Sequence, residues 1–387
     1  MSSTGEAYLL LGLRLGRHVD GLVDAYYGPK ELKEQVESEP LADPAELVAE
    51  ADALLAEVDG WLGDQLLGLR TYAGKLAGEE ISYADEVERC YGVRPERRDT
   101  DVYEAAHERL DELLPGEGAL NDRYQAWRRR ATVPPDLVVS LVEDAAAELR
   151  AATVELVDLP VGEALVLEGV RDEPWWAFNY YLGDLRSRVV VNLDVPTTCD
   201  DVVHLAGHEV YPGHHTEHAL KEQLLVRGEG KIEETIHLVP TPSALVNEGI
   251  AESGPGLVID DELRRRLVDV FQRRGLDYEV ELAQAIAEAR RTLRRVNVDA
   301  ALMIHEDGAS VEDAEAYVRR WALVSSKDAQ HSVSFIVDPT WRAYAINYSA
   351  GRELCEAWVG GDPGRFVRLL TEQIRVGELL EAHPDGH

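Results

Sequence analysis

Helical periodicity in the first half of the chain is the feature that most constrains its fold. Apolar residues recur every three or four positions in five stretches, residues 7–23, 47–62, 66–76, 101–114 and 135–157. Asp43 and Pro44 supply an N-cap and a first-turn proline for the second stretch, and Pro134 and Pro135 do similar work for the last. We therefore predict a mainly α fold in which this half is scaffold.

The pattern changes after Asp158, where aromatic, glycine and β-branched residues become frequent. Residues 188–193 form the best candidate strand in the chain, and residues 332–337 also alternate like a strand. A helical pattern resumes at residues 198–206 and dominates to the end. We predict a helical scaffold region at 1–157 and a second region with a small β-sheet at 158–387. No linker composition separates them, so we expect one compact unit.

Charge and cysteine content restrict the partners and the compartment. The chain has 73 acidic and 39 basic residues, a net charge of −34, which argues against binding nucleic acid or an anionic membrane. Its three cysteines, Cys90, Cys199 and Cys355, are far apart, and none lies in a CxxC motif. The first twenty residues lack the basic and cleavage regions of a signal peptide. We expect a reduced, cytoplasmic setting.

Five histidines fall within fifteen residues, in the run HLAGHEVYPGHHTEH from His204 to His218. A cluster of imidazoles with a glutamate directly after one of them is typical of a zinc hydrolase. In the common HExxH form, two histidines four apart on a helix converge on the ion. Here the fourth residue after His208 is Pro212, which cannot bind a metal.

The spacing leaves more than one pair of zinc ligands open. His204 and His208 are four apart, as are His214 and His218. His208 and His214 can converge only if a local bulge at Pro212 and Gly213 absorbs two residues. We favour His208 and His214, because Glu209 then follows the first metal ligand as in HExxH.

A third ligand is expected from a later helix. Forty residues after His208 comes Glu248, in the run NEGIAES, and Glu252 follows on the same helical face. This run resembles the second motif of gluzincin-type peptidases, where one glutamate binds zinc and an acid four residues later orients a metal-bound histidine. The resemblance implies that Glu248 is a zinc ligand and that Glu252 is its supporting acid.

Together, HEVYPGHH and NEGIAES resemble the bacterial family called domain of unknown function 885, whose hallmark is HExxPGHH. The run DPTWRAYAINYSAG at residues 338–351 resembles its closing motif. The match covers roughly residues 80–380. It implies a metallopeptidase-like, mainly helical fold related to helical zinc carboxypeptidases, with the small sheet near the active site. The family pattern assigns no role to His204 or His218.

The predicted chemistry follows from one zinc ion held by His208, His214 and Glu248. The metal acidifies a water molecule, and Glu209 takes its proton and passes it to the leaving group. The oxyanion that forms needs a further donor. Tyr348 in the closing motif is our first choice, and Tyr344 and His331 are alternatives.

Four residues are predicted to contact substrate: His215, Asn192, Tyr344 and Arg342, with Arg352 as an alternative to Arg342 for a carboxylate. The strand at 188–193 would pair with an extended peptide, and Trp175, Trp176, Tyr180 and Tyr181 would line subsites. We expect a zinc metallopeptidase acting on short peptides. The alternatives are a zinc hydrolase of another amide or ester, and a non-catalytic metal-binding protein.

Overall fold

The fold is mainly α-helical, as the sequence predicts. The computed structural model describes residues 3–382. The helices of the first half are α1 (Thr4–Gly16), α2 (Lys30–Ser38), α3 (Pro44–Leu55), α4 (Gly60–Leu76), α5 (Tyr83–Tyr91), α6 (Asp101–Leu113), α7 (Leu120–Ala131) and α8 (Pro135–Leu156).

The second half contributes shorter helices that surround the histidine-rich segment. They are α9 (Cys199–Leu205), α10 (His214–Lys221), α11 (Pro242–Ser253), α12 (Pro255–Val258), α13 (Asp261–Gln272), α14 (Val280–Arg290), α15 (Val296–His305), α16 (Val311–Trp321), α17 (Ser326–Val337), α18 (Arg352–Val359), α19 (Pro363–Thr371) and α20 (Val376–Ala382). Among the described residues, no helix has the length and apolar character that crossing a bilayer requires.

Short strands form two small sheets. In the first, β2 (Ala164–Val170) and β3 (Ala177–Gly183) flank β4 (Arg186–Asn192), which runs parallel to β2 and antiparallel to β3. The predicted strand is therefore confirmed as β4, and it is the central one. In the second sheet, β1 (Val23–Tyr26) pairs antiparallel with β5 (Ile236–Leu238). This pairing joins the N-terminal region to the segment between α10 and α11.

Two hydrophobic cores lie beneath these elements. The smaller one combines α1, α3 and α4 with Ile236 and Leu238 of β5. The larger one begins at Tyr83 and includes α5, α6, α8 and most of the second half. The packing thus changes between α4 and α5, and β5 from the second half completes the smaller core.

Three local predictions are wrong. The first predicted helix ends at Gly16, and Val23 begins β1 instead. The stretch at 47–62 divides between α3 and α4. Residues 332–337 are helical: Ser325 caps α17 in a capping box with Asp328, and the buried positions 329, 333 and 336 have helical spacing. The alternation at 332–337 was too short to exclude a helix.

Candidate metal centre

The histidine-rich segment folds as two helices rather than one bulged helix. α9 continues as a π-helical turn, Ala206–Val210, and then Tyr211 is extended. The Tyr211–Pro212 peptide bond is cis, and α10 begins at His214. The expected bulge is therefore replaced by a break. The two histidines nevertheless lie together as predicted, because the chain turns back and brings His214 beside the end of the first helix.

Glycine is required at the break. A Cβ at Gly213 would overlap the carbonyl oxygen of His208, and the carbonyl of Gly207 is also within contact. The chain passes so close to the end of the preceding helix that only a residue without a side chain fits at this position. This packing holds His208 and His214 next to each other, with ring centroids 4.7 Å apart in an edge-to-face arrangement.

Three side chains converge at this point as a group that could hold a metal ion: His208, His214 and Glu248 of α11. Nε2 of His208 lies 3.5 Å from Oε2 of Glu248, and Nε2 of His214 lies 4.0 Å from Oε1. Ligands about 2.0–2.1 Å from a tetrahedral ion are about 3.3 Å apart. The observed separations are close to that value, so small side-chain movements would complete the coordination.

Burial and unmet hydrogen bonds also fit a metal ion. Oε2 of Glu248 and the Nδ1 atoms of both histidines are buried and have no hydrogen-bond partner among the described residues. Burial lowers the pKa of His208 well below its usual range and that of His214 to about 4, so both imidazoles are neutral, as ligands must be. Burial raises the pKa of Glu248, a carboxylate that lacks a cation.

A rival group, His204, His208 and Glu252, shares one histidine with the first. Here the carboxylate already has cations: Glu252 forms an ion pair with Arg294, and Arg352 lies 3.7 Å away. Although burial opposes ionisation of Glu252, the charge of Arg294 holds its pKa at about 2. Because those guanidinium groups would repel a metal ion, the group with Glu248 is the better site.

Glu252 instead lies where a supporting acid is expected. Its Oε1 is 3.6 Å from Nδ1 of His208, on the side of the ring opposite Glu248. A carboxylate in this place fixes the orientation of a metal-bound imidazole. The ring of His204 stacks on the ring of Trp176, with their centroids 6.2 Å apart. Sequence reasoning missed Arg294, which nothing distinguishes among the many arginines of the chain.

Glu209 lies beside the three ligands and lines the same cavity. It is 7% exposed, and burial, together with the charges of Asp24 and Glu252, raises its pKa to about 8. Asn179 of β3 donates to its backbone carbonyl at 2.6 Å, which connects the edge of the sheet to this turn. A carboxyl group that titrates near neutral pH is suited to exchanging protons with a reacting molecule.

The two tyrosines of the closing motif have different surroundings. The hydroxyl of Tyr344 donates to Oε1 of Glu248 at 2.8 Å, so this residue supports a candidate metal ligand. Tyr348 is 38% exposed, lines the cavity, and has no hydrogen-bond partner among the described residues. Desolvation of the two hydroxyl groups within the cavity and the charge of Glu248 raise the pKa of both phenols well above the usual 10, so both hydroxyls remain donors. His331 of α17 lines the cavity wall as well.

His215 and Asn192 have structural partners instead of facing the cavity. His215 is fully buried, and its two ring nitrogens are 2.8 Å from Ser187 and from Glu163. Asn192 is buried and donates to the backbone carbonyls of Glu173 and Trp175. The expectation that these side chains bind substrate is therefore wrong. The two ring nitrogens of His215 and the side-chain amide of Asn192 already form hydrogen bonds within the protein.

Arg342 is likewise directed away from the cavity. It forms an ion pair with Glu86, a nearly fully buried acid that also pairs with Lys75. The arginine therefore neutralises a buried charge where α5 meets the closing motif, and it is not among the residues that line the cavity. Arg352 pairs with Glu356 at 2.8 Å.

The cavity over the metal group has a volume of about 1000 Å³. Trp175 and Tyr180 line it as expected, whereas Trp176 packs on His204 and the hydroxyl of Tyr181 donates to Glu222. The strand that faces the cavity is β3 and not β4. β4 is paired on both sides, so an extended peptide could be added only to an edge of this sheet.

Comparisons with known proteins bear on the fold alone. No family model and no curated protein matches the chain. A solved structure of a candidate lipoprotein from Colwellia psychrerythraea is similar, with a TM-score of 0.54 at 15% identity, over 91% of this chain and 64% of that one. A candidate lipoprotein of unknown function from Shewanella oneidensis gives a TM-score of 0.48 at 15% identity, over 91% and 69%. The chain thus spans less than two thirds of the Colwellia protein. At this level of identity the similarity is one of fold alone.

Proposed function

We propose that this protein is a zinc-dependent metallopeptidase of the HExxPGHH family called domain of unknown function 885, and that it cleaves short peptides. One observation carries the proposal: two neutral imidazoles and an uncompensated carboxylate converge in a cavity that also contains a glutamate of raised pKa. A structural zinc site has four protein ligands and no general base. Three ligands beside Glu209 are the arrangement of a catalytic site.

In this proposal His208, His214 and Glu248 hold the ion, while Glu252 and Tyr344 fix two of those ligands in place. When bound, zinc supplies Lewis acidity that polarises a carbonyl group and lowers the pKa of water. The nitrogen and carboxylate ligands favour zinc among the common divalent ions, without excluding related transition metals.

Glu209 acts as general base and then as general acid. Its carboxylate removes a proton from the attacking water, and its carboxyl group returns that proton to the nitrogen of the departing amine.

Tyr348 donates its hydroxyl proton in a hydrogen bond to the oxyanion that develops on the substrate carbonyl. Its unpartnered hydroxyl in the cavity supports this role, since a donor that already served another acceptor would have to be released first. His331 is the alternative donor. A cavity of about 1000 Å³ suits a short peptide better than a folded protein. The proposal includes a cytoplasmic location, which three buried and unpaired cysteines support.

Replacement of Glu209 by glutamine tests the mechanism. We expect Glu209→Gln to retain about one zinc per chain and to lose hydrolysis of a short-peptide mixture by at least about a hundredfold. Glu37→Gln, an equal charge change at an exposed position of α2, is the control and should behave as wild type. Full activity of Glu209→Gln would refute the mechanism. Zinc binding without hydrolysis of peptides by the wild type would instead indicate another amide or ester substrate, or a non-catalytic metal protein.

A further inference from the structure

The cavity over the metal group has an unbalanced charge. Among the described residues that line it are eight acidic side chains and a single basic one other than histidine, Lys221. The Nζ atom of Lys221 lies 2.6 Å from Glu217, and both residues are buried. The charge of Glu234 also favours the protonated lysine. Lys221 is thus neutralised by the wall of the cavity and offers no free positive charge to a ligand.

Three residues that line the cavity carry side-chain oxygens without donors. Glu217 is fully buried, and its Oε2 has no hydrogen-bond partner although Oε1 accepts from Lys221. The side-chain oxygens of Asn179 and Asn297, which also line the cavity, are buried and unpartnered as well. An unpartnered buried acceptor costs about 1–3 kcal/mol.

Asp24 is the acid whose position is most informative. Val23 pairs with Leu238 and Ala25 with His237, so Asp24 is an extra residue in β1, a β-bulge opposite β5. Bulges redirect a side chain and are frequent beside active sites. The carboxylate of Asp24 is exposed to the cavity and has neither a hydrogen bond nor an ion pair among the described residues.

Asp24 also lies near the candidate metal centre. Asp24, Glu209 and Glu248 all line the same cavity. Among the described residues of the cavity, no basic side chain forms an ion pair with Asp24, so a cationic group of a bound molecule would be its first counter-charge.

We propose that Asp24 binds a primary ammonium group of the substrate, next to the metal centre. The inference rests on the proposed function and names its substrate class, peptides that present a free amine near the bond to be cleaved. The amine could be the α-amino group of the first residue or the side chain of a basic residue. Because the two have the same chemistry, the experiment separates them.

Binding of small amides to the zinc-loaded protein tests the site without turnover. Isothermal titration compares leucinamide, N-acetyl-leucinamide and N-acetyl-lysinamide on the wild type, Asp24→Asn and the control Glu37→Gln. We expect one of the two amines to bind the wild type at least about tenfold more tightly than N-acetyl-leucinamide, which has no ammonium group. Asp24→Asn should abolish that preference, and Glu37→Gln should keep it.

Each result has a defined meaning. Preference for leucinamide assigns the α-amino group, and preference for N-acetyl-lysinamide assigns a basic side chain. Equal binding of all three compounds by the wild type would overturn the inference, even if Asp24→Asn did not fold. Survival of the preference in Asp24→Asn would overturn the role of Asp24. If the amine preference is found but no peptide is hydrolysed, the ammonium site stands and the peptidase proposal fails. If free and N-acetylated peptides are hydrolysed equally and no compound with an amine binds more tightly, the peptidase proposal stands and the ammonium site fails.

Discussion

Two tyrosines four residues apart should have separable functions. Tyr344→Phe removes a hydroxyl that donates to Oε1 of Glu248 at 2.8 Å, and both groups are removed from bulk water. Loss of a hydrogen bond to a metal ligand reduces metal affinity about 10–100-fold, which corresponds to about 1.4–2.8 kcal/mol. A hydrogen bond to a charged group contributes about 1.5–3 kcal/mol, so two independent arguments give the same magnitude.

Tyr348→Phe is the matched control. Its hydroxyl has no partner among the described residues, so its removal should leave zinc affinity within about twofold. If the hydroxyl serves the oxyanion, kcat for a short peptide should fall by about 10²–10³. In both variants the phenylalanine ring keeps the existing packing, including the edge contact between Tyr344 and Tyr348 at 5.7 Å between centroids.

The assay is zinc competition with a chelator of known affinity, together with steady-state hydrolysis of a peptide that the wild type cleaves. We expect a weaker zinc Kd only for Tyr344→Phe, and a lower kcat at saturating zinc mainly for Tyr348→Phe. Unchanged zinc affinity in Tyr344→Phe would refute the assignment of Glu248 as a ligand supported by this hydroxyl. Equal loss of zinc affinity in both variants would refute the distinction between them.

Three further predictions concern the frame around the centre. Arg342→Met should lower the free energy of unfolding in urea by about 2–3 kcal/mol, because it removes a partner of the buried Glu86; loss of zinc without loss of stability would contradict this. Gly213→Ala should reduce zinc content sharply, while Gly377→Ala, whose new methyl group meets open space, should not; equal zinc contents would refute the need for glycine. Burial opposes ionisation of Glu163, but its hydrogen bonds hold its pKa at about 2, below the ordinary 4.5. The ionised group therefore stabilises the fold above about pH 4.5, and this contribution disappears as the pH falls toward 2. Glu163→Gln should therefore flatten the acid-unfolding curve over that range, by up to about 3 kcal/mol, and superimposable curves would contradict this.

The convergence of His208 and His214 could be predicted because it depends on short-range spacing. Three of its features lie within seven residues: His208, the following Glu209, and His214 after Pro212 and Gly213. A metal requires these side chains to converge, so the pattern predicts the result even though the backbone route was wrong. The sequence indicated a bulged helix, and the chain instead ends one helix and begins another.

The substrate-facing residues could not be predicted, because their direction depends on distant packing. Arg342 points toward Glu86, 256 residues earlier in the chain, and His215 points toward Glu163. Asn192 ends a strand that is central in its sheet. Each is a type of residue that often binds substrates. The sequence did not reveal the buried acid or backbone carbonyl group that forms a hydrogen bond with it. Asp24 was missed for the same reason, since only the pairing of β1 with β5 brings it to the cavity.

The fold class followed from helical periodicity, and the errors occurred where the pattern was short. The stretches at 101–114 and 135–157 correspond to α6 and α8 within one residue at each end. The alternation at 332–337 covers six residues, and a capping box upstream determines its helical state. The predicted first helix continues through Val23 because apolar residues recur past Gly16, but Val19 and Leu22 lie in turns and Val23 begins the strand that pairs with β5.

The metal content of the purified protein tests the central claim most directly. Elemental analysis of the wild type should be compared with His214→Ala and His204→Ala, which remove one histidine from each of the two overlapping groups. The account predicts about one zinc per chain in the wild type, loss of zinc in His214→Ala, and retention in His204→Ala. Retention in His214→Ala with loss in His204→Ala would move the site to Glu252 and contradict the roles of Glu248 and Glu209.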